Sequence, residues 1–177
     1  MGEALVFCGI KHCGKSTLGQ TLARVLDIPF CDTDGLLEEK FQTSVREFFK
    51  AHGEEAFRAC ETQLLKELSG EKLQVISLGG GALLKEENRA LVKDLGILIW
   101  CDIDDETAFQ RVLQGGLPPF LAQAADPFEE FRSRNCGRRA TFAGCCDLRF
   151  APDPEKTPEE NVSNLLEILR EKGILKI

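Results

Sequence analysis

The segment Gly9-Ile10-Lys11-His12-Cys13-Gly14-Lys15-Ser16 fits the spacing G-x-x-x-x-G-K-S/T. An apolar run precedes it and a helical pattern follows it. In that setting each residue type has a chemical use. Glycines let the backbone curl so that successive N–H groups point inward, and with a helix N-terminus they make an anion site. The Lys15 ammonium can reach the β- and γ-phosphates of a nucleotide, and the Ser16 hydroxyl can ligate Mg2+. Gly9, Lys11, His12, Cys13, Gly14, Lys15, Ser16 and Thr17 are the candidate nucleotide-binding residues. A chance glycine turn before a helix is the competing reading, and the strand–loop–helix context argues against it.

Asp32 and Asp34 flank Thr33 after a second apolar run. In open α/β sheets, ligands bind outside the carboxyl ends of the strands, so both carboxylates could face the phosphate loop. One could hold Mg2+ through water while the other orients an attacking hydroxyl. Helix capping is the competing use of an aspartate here. Arg58 lies on a helical stretch whose other face is apolar. Gly79-Gly80-Gly81 follows a third apolar run, exposes backbone N–H groups and lets a ligand come close.

The elements that must position these residues follow from apolar patterning. Ala4–Cys8, Ile28–Cys31, Leu73–Leu78, Gly96–Cys101 and Asp147–Phe150 read as short buried parallel strands. Helical spacing runs from Lys15 to Leu26, over 44–68 with a break at His52-Gly53, and over Asn88–Leu95 and Thr107–Leu113. It returns from Phe128 to about Phe142 and again from Pro158. Gly115–Pro127 has no period and reads as a loop. Alternation of strand and helix predicts an α/β fold: a five-stranded parallel sheet covered by helices on both faces, in one domain spanning 1–177.

Composition narrows the function classes. The 177 residues carry 22 Lys and Arg against 29 Asp and Glu, a formal net charge of −7. Such a chain lacks the basic footprint of a nucleic-acid binder, while a local cluster of cations can still hold an anion. No apolar stretch reaches the about 18 residues of a membrane span. Eight cysteines form no C-x-x-C pair, and Cys8, Cys31 and Cys101 sit in or beside apolar runs. They read as reduced packing thiols of a cytoplasmic protein. No basic n-region with an apolar run opens the chain, and a monomer is the expected state.

Taken in order, these residues resemble the shikimate kinase family of P-loop small-molecule kinases, over nearly the whole chain. The phosphate loop, Asp32-Thr33-Asp34, Gly53-Glu54-Glu55-Ala56-Phe57-Arg58, Gly79-Gly80-Gly81 and Asn88-Arg89-Ala90-Leu91 follow at family-like spacing. Arg138, Phe142, Cys146 and Asp147 match the family's R-x-x-x-Y-x-x-x-A-D. The resemblance implies ATP-dependent phosphorylation of shikimate at its 3-hydroxyl, with Mg2+ as cofactor. It implies Lys15 and Asp34 as catalytic residues, Asp34 orienting the hydroxyls, and Ser16 with Asp32 on the metal. It places Arg58 and Arg138 on the substrate carboxylate, with Gly79, Gly80 and Gly81 offering backbone contacts, and Arg111 and the 151–157 loop against adenine. A lid over about 114–127 would close after substrate binding, exclude water, and stand displaced or poorly ordered without ligands.

The chain departs from the family pattern at three points. His12 stands where the family's loop carries glycine, and is expected to point outward. Phe142 replaces the usual tyrosine and keeps a packing ring. The lid stretch Leu117-Pro118-Pro119-Phe120-Leu121 lacks the family's arginine, and no arginine lies between Arg111 and Arg132. Either catalysis is slow or Arg132, Arg134 or Arg139 supplies the charge. The alternatives to a shikimate kinase are thus a catalytically weak nucleotide-binding module and a kinase for another small hydroxy-acid.

Overall fold

The computed structural model describes residues 2–68 and 72–175. Its strands are β1 (Ala4–Cys8), β2 (Phe30–Asp32), β3 (Val75–Ser77), β4 (Gly96–Cys101) and β5 (Leu148–Phe150). Its helices are α1 (Lys15–Leu26), α2 (Thr33–Phe41), α3 (Val45–Glu67), α4 (Glu86–Leu95), α5 (Asp105–Gln114), α6 (Pro119–Ala122), α7 (Pro127–Cys145) and α8 (Pro158–Glu171). A short 3-10 turn covers Ala82–Leu84.

All five strands are parallel, in the order β2-β3-β1-β4-β5. β1 is central and every residue in it is buried, which is why it reads as a continuous apolar run. α1 packs with α8, while α3, α4 and α7 gather around the 3-10 turn. Leu5, Phe7, Ile76, Leu98 and Ile99 fill the main core. A smaller cluster of Leu37, Phe57 and Leu64, with Phe41, Phe48 and Phe49, joins α2 to α3. Its rings pack closely, Phe41 stacked on Phe48 at 3.8 Å and Phe49 tilted against Phe57 at 4.6 Å.

The fold class matches the sequence reading; several boundaries do not. β2 starts at Phe30 because the Ile28 N–H caps the end of α1 at the Ala23 carbonyl (3.0 Å) and Pro29 has no N–H to give. α2 has no apolar stripe: only Thr33 and Leu37 are buried, so periodicity misses it. It is set instead by its cap, since Asp32 accepts from the Asp34 and Gly35 amides. The stretch read as a loop over 115–127 contains α6, and Leu121 is buried in the core behind it. The side chains of Pro119 and Phe120 lie outside the described ones. α7 begins one residue early, at Pro127 behind the Asp126 cap.

The break read at His52-Gly53 is a kink inside α3, where Gly53 takes φ 81° and ψ 173°. That region is essentially closed to any residue with a Cβ. No atom lies within 4 Å of where a Gly53 Cβ would stand, so the cost of adding one is backbone strain alone. Gly53→Ala is expected to lose about 1–3 kcal/mol of stability. Urea unfolding should show a lower midpoint at unchanged slope; an unchanged midpoint would mean that the kink is dispensable.

Candidate active site

The phosphate loop leaves β1 through Gly9 and enters α1 through Gly14, at φ 89°. A Cβ on Gly9 would come within 2.6 Å of the Cys13 sulfur and 2.7 Å of the Cys101 carbonyl. Cys13 is fully buried, so its thiol packs in the core and only its backbone faces the loop. No side chain caps α1 and no acidic residue sits in its first turn, which leaves its first N–H groups to an anion. Lys15, the first residue of α1, is buried. His12 is exposed, with φ 67°, and its carbonyl accepts from Arg111 Nη1 at 3.1 Å. Burial and then the charges of Lys11, Lys15 and Arg111 hold the His12 imidazole below its ordinary value.

Asp32 caps α2 with one carboxylate oxygen and reaches the phosphate loop with the other. Oδ1 caps α2 through the Asp34 and Gly35 amides (3.1 Å each). Oδ2 accepts from the Ser16 hydroxyl at 2.6 Å, and Ser77 Oγ lies 3.0 Å from Ser16 on the other side. Three hard oxygens from α1, β2 and β3 thus meet beside the loop, a donor set that suits Mg2+. Among the described residues no group of three or more His, Cys, Asp or Glu side chains could hold a metal ion. A cation at Ser16 and Asp32 would therefore complete its shell with phosphate oxygens and water.

The other half of the site lies across the glycine triplet. A Cβ on Gly79 would land on Asp34 Oδ1 and come within 3.1 Å of Glu61 Oε1. On Gly80 it would lie 3.5 Å from the Lys11 amide nitrogen and 3.8 Å from Arg138 Nη1. On Gly81 it would collide with the Arg58 guanidinium. One strip of bare backbone therefore collects Asp34, Arg58, Arg138 and the phosphate loop, the residues that the sequence proposed from separate segments. The strip is itself fixed. Thr33 Oγ1 accepts from the Gly79 amide at 2.9 Å, and the Asn88 amide holds the Ala82 carbonyl at 2.9 Å. Thr62 links Asn88 (2.8 Å) to the Arg58 carbonyl (2.9 Å).

Arg58 lies between the Phe49 and Phe57 rings, at 5.9 and 5.4 Å, and donates to Glu61 at 2.8 Å. Arg138 is half-buried and makes no ion pair among the described residues; burial and then the Arg58 charge lower its pKa. Two guanidinium groups beside free backbone are an arrangement that can hold a carboxylate, since Arg can grip one with two parallel bonds.

Glu61 was not singled out by sequence. It is 1% exposed, and its Oε1 is buried without a donor, facing Gly79 and Asp34. Burial pushes its carboxyl up, against the opposing pull of Arg58. The signal was available: Phe57, Glu61, Leu64 and Leu65 share one helix face, so a carboxylate interrupts an apolar stripe. Ser77 and Thr33 lacked any such signal, because a buried hydroxyl in a strand or helix start is common.

On the far side of the loop, a cavity of about 370 Å3 lies between His12, Thr17, Arg111 and the Pro152–Pro158 segment. Asn161 pins that segment, donating to the Asp153 carbonyl at 2.9 Å and accepting from the Asp153 amide at 2.8 Å. His12 thus rims this cavity rather than pointing clear of it. Of the candidate arginines beyond residue 127, Arg132 pairs with Glu129 at 3.4 Å and Arg134 with Glu130 at 2.5 Å, and both arginines are exposed. Arg139 is locked onto Asp102, the Ile103 carbonyl and Asp105. None of these ion pairs involves the phosphate loop. Phe142 has the packing role expected, buried 6.1 Å from the Trp100 ring.

A family model for shikimate kinase matches residues 11–170. This chain belongs to the shikimate kinase family. It is 34% identical over 171 residues to the shikimate kinase of Symbiobacterium thermophilum, across 96% of this chain and 97% of that one. It is 33% identical to that of Enterococcus faecalis, across 96% and 99%. The solved shikimate kinase of Acinetobacter baumannii, in complex with shikimate, superposes with a TM-score of 0.85 at 26% identity, across 96% and 93%. The family's members are ATP-dependent phosphotransferases, and this chain is one. No described helix is long and apolar enough to cross a membrane.

Burial, then the Asp32 charge, raises the Asp34 carboxyl above its ordinary value, against the pull of Lys15 and Lys11. A carboxyl whose folded pKa is raised holds its proton longer in the native state, so stability falls as pH rises through that range and stays lower above it. Asp34→Asn removes the penalty. Its thermal midpoint at pH 7 is expected above that of the parent, with the gain shrinking toward zero as pH falls to about 4, the ordinary Asp range. A lower midpoint at pH 7 would show that Lys15 and Lys11 overcompensate the burial.

Proposed function

We propose that this chain transfers the γ-phosphoryl group of ATP to the 3-hydroxyl of shikimate. The observation that carries the reading is the bare Gly79-Gly80-Gly81 strip with Asp34 at one end, Arg58 and Arg138 at the other and the phosphate loop beside it. An acceptor held there by its carboxylate would present a hydroxyl between Asp34 and the loop. Gly79, Gly80 and Gly81 would bind it through backbone. Asp34 would orient the hydroxyl and take its proton as the oxygen–phosphorus bond forms. The bond from the γ-phosphorus to its bridging oxygen breaks, and that electron pair leaves on ADP.

Gly9, Lys11, His12, Cys13, Gly14, Lys15, Ser16 and Thr17 would cradle the phosphates, mostly through backbone. Lys15 stabilises charge on the transferring group. Ser16 and Asp32 would hold Mg2+, which supplies charge neutralisation on the phosphates when bound. Arg111 and the 152–158 wall would take the adenine in the cavity described above. Residues 114–127, between α5 and α7, would cover the site and keep water from the γ-phosphate. The reading also has one domain acting as a cytoplasmic monomer. The eight cysteines are free, and among the described residues the exposed large apolar side chains Val25, Leu84 and Leu113 lie on separate elements.

The test is ADP release from MgATP with and without shikimate. Shikimate-dependent turnover of about 1–100 s−1 is expected, the ordinary range of kinases. Asp34→Asn should lower kcat by about 100-fold or more while MgATP affinity stays. Arg138→Met should act chiefly on the KM for shikimate. MgATP binding without shikimate-dependent turnover would overturn the reading in favour of another carboxylated acceptor or a nucleotide-binding module.

A further inference from the structure

Phosphoryl transfer spreads negative charge over three equatorial oxygens, and positioned cations stabilise it. On the nucleotide side Lys15, buried at the start of α1, does so. The acceptor side is unsupplied by the usual means, since residues 112–131 contain no Lys or Arg. Arg132 and Arg134 pair with glutamates on the outer surface, and Arg139 is locked at the end of β4. Arg58 is tied to Glu61 and Glu54. Arg138 faces the acceptor strip, where a carboxylate would occupy it.

Lys11 is the cation left over. It sits in the phosphate loop, and its amide nitrogen lies 3.5 Å from the place of a Gly80 Cβ, so this turn of the loop borders the acceptor strip. Its side chain is exposed, and its ammonium has no ion pair or hydrogen bond among the described residues. Its charge bears on the Asp34 carboxyl, which it pulls down, and on His12 next to it. The loop pattern leaves this position open to any residue, so neither the turn nor the anion cradle requires a lysine here.

We propose that Lys11 is a second catalytic cation, whose ammonium contacts the transferring phosphoryl group from the acceptor side. The inference rests on the function proposed above and goes beyond the backbone role given to Lys11 there. The reaction balances as already written: the hydroxyl oxygen bonds to γ-phosphorus, its proton goes to Asp34, and ADP leaves with the bridging oxygen's electron pair. Lys11 keeps its own protons and only meets developing charge. Such a contact strengthens toward the transition state and so acts on kcat rather than on binding.

The experiment compares the full chain with Lys11→Met, Lys11→Arg and Lys11→Ala in shikimate-dependent kinetics, with MgADP binding measured by titration calorimetry. Lys11→Met is expected to lower kcat by about 10²–10³-fold, the loss seen when one transition-state donor is removed. The KM for shikimate and the MgADP affinity should stay close to those of the parent. Lys11→Arg should recover most of kcat, and added methylammonium should raise the turnover of Lys11→Ala in proportion to its concentration. An active parent with an equally active Lys11→Met would overturn the proposal and leave the function intact. So would a loss of kcat matched by weaker MgADP binding without amine rescue. A parent with no shikimate-dependent turnover would overturn the function itself, and this inference with it.

Discussion

The site depends on a stretch of chain that must have no side chains. At Gly79 and Gly81 a single added carbon would occupy the space of the Asp34 carboxylate and the Arg58 guanidinium. The constraint propagates outward. Thr33, buried at the start of α2, is needed to hold the Gly79 amide, and Asn88 to hold the turn that follows. Asn88 in turn reaches Thr62 on α3, one turn beyond Arg58. Arg58 and the bare strip are therefore parts of one hydrogen-bonded unit. Rigid support of this kind is what a reaction relying on position and charge demands.

The same unit governs charge. Asp34 and Glu61 face each other across Gly79, and both carboxyls are raised, chiefly by burial. A proton on Glu61 Oε1 would satisfy that atom and relieve the repulsion. Arg58 has Glu61 as a built-in counterion, whereas Arg138 has none among the described residues. Under the proposed function, an anion arriving between them would complete the pair that the protein leaves open. The chain's overall charge of −7 is no obstacle, because the field inside the cleft is set by these few groups.

What was legible in the sequence follows from how each feature is encoded. β1 and the phosphate loop are local: a buried run, glycines at turns, a lysine and a hydroxyl at fixed spacing. Asp34, Arg58 and Arg138 were legible as types in motifs, but their meeting point is a property of the sheet order, which puts β3 between β2 and β1. α2 was hidden because a capping carboxylate and one buried Leu37, not a stripe, define it. α6 was hidden because Pro118 and Pro119 read as loop residues, although Pro also opens helices. Glu61 was overlooked because a charged residue on a helix is normally taken for the solvent face.

The stretch between α5 and α7 shows how the departures fit together. Arg139 binds Asp102 at the end of β4 and Asp105 in the first turn of α5, while its neighbour Arg138 faces the acceptor strip. Arg149, stacked over Trp100 at 5.1 Å, takes the second Asp102 oxygen. One buried carboxylate network therefore ties α7 to α5, the two helices that bracket residues 115–126. The bracket fixes the span between the ends of those residues, and under the proposed function their cation-free sequence suits a cover that excludes water. Electrostatic work would then fall to the floor of the site. A charge on the phosphate loop needs no loop closure to reach its place, so a chain that keeps its cations on the floor can dispense with one in the cover.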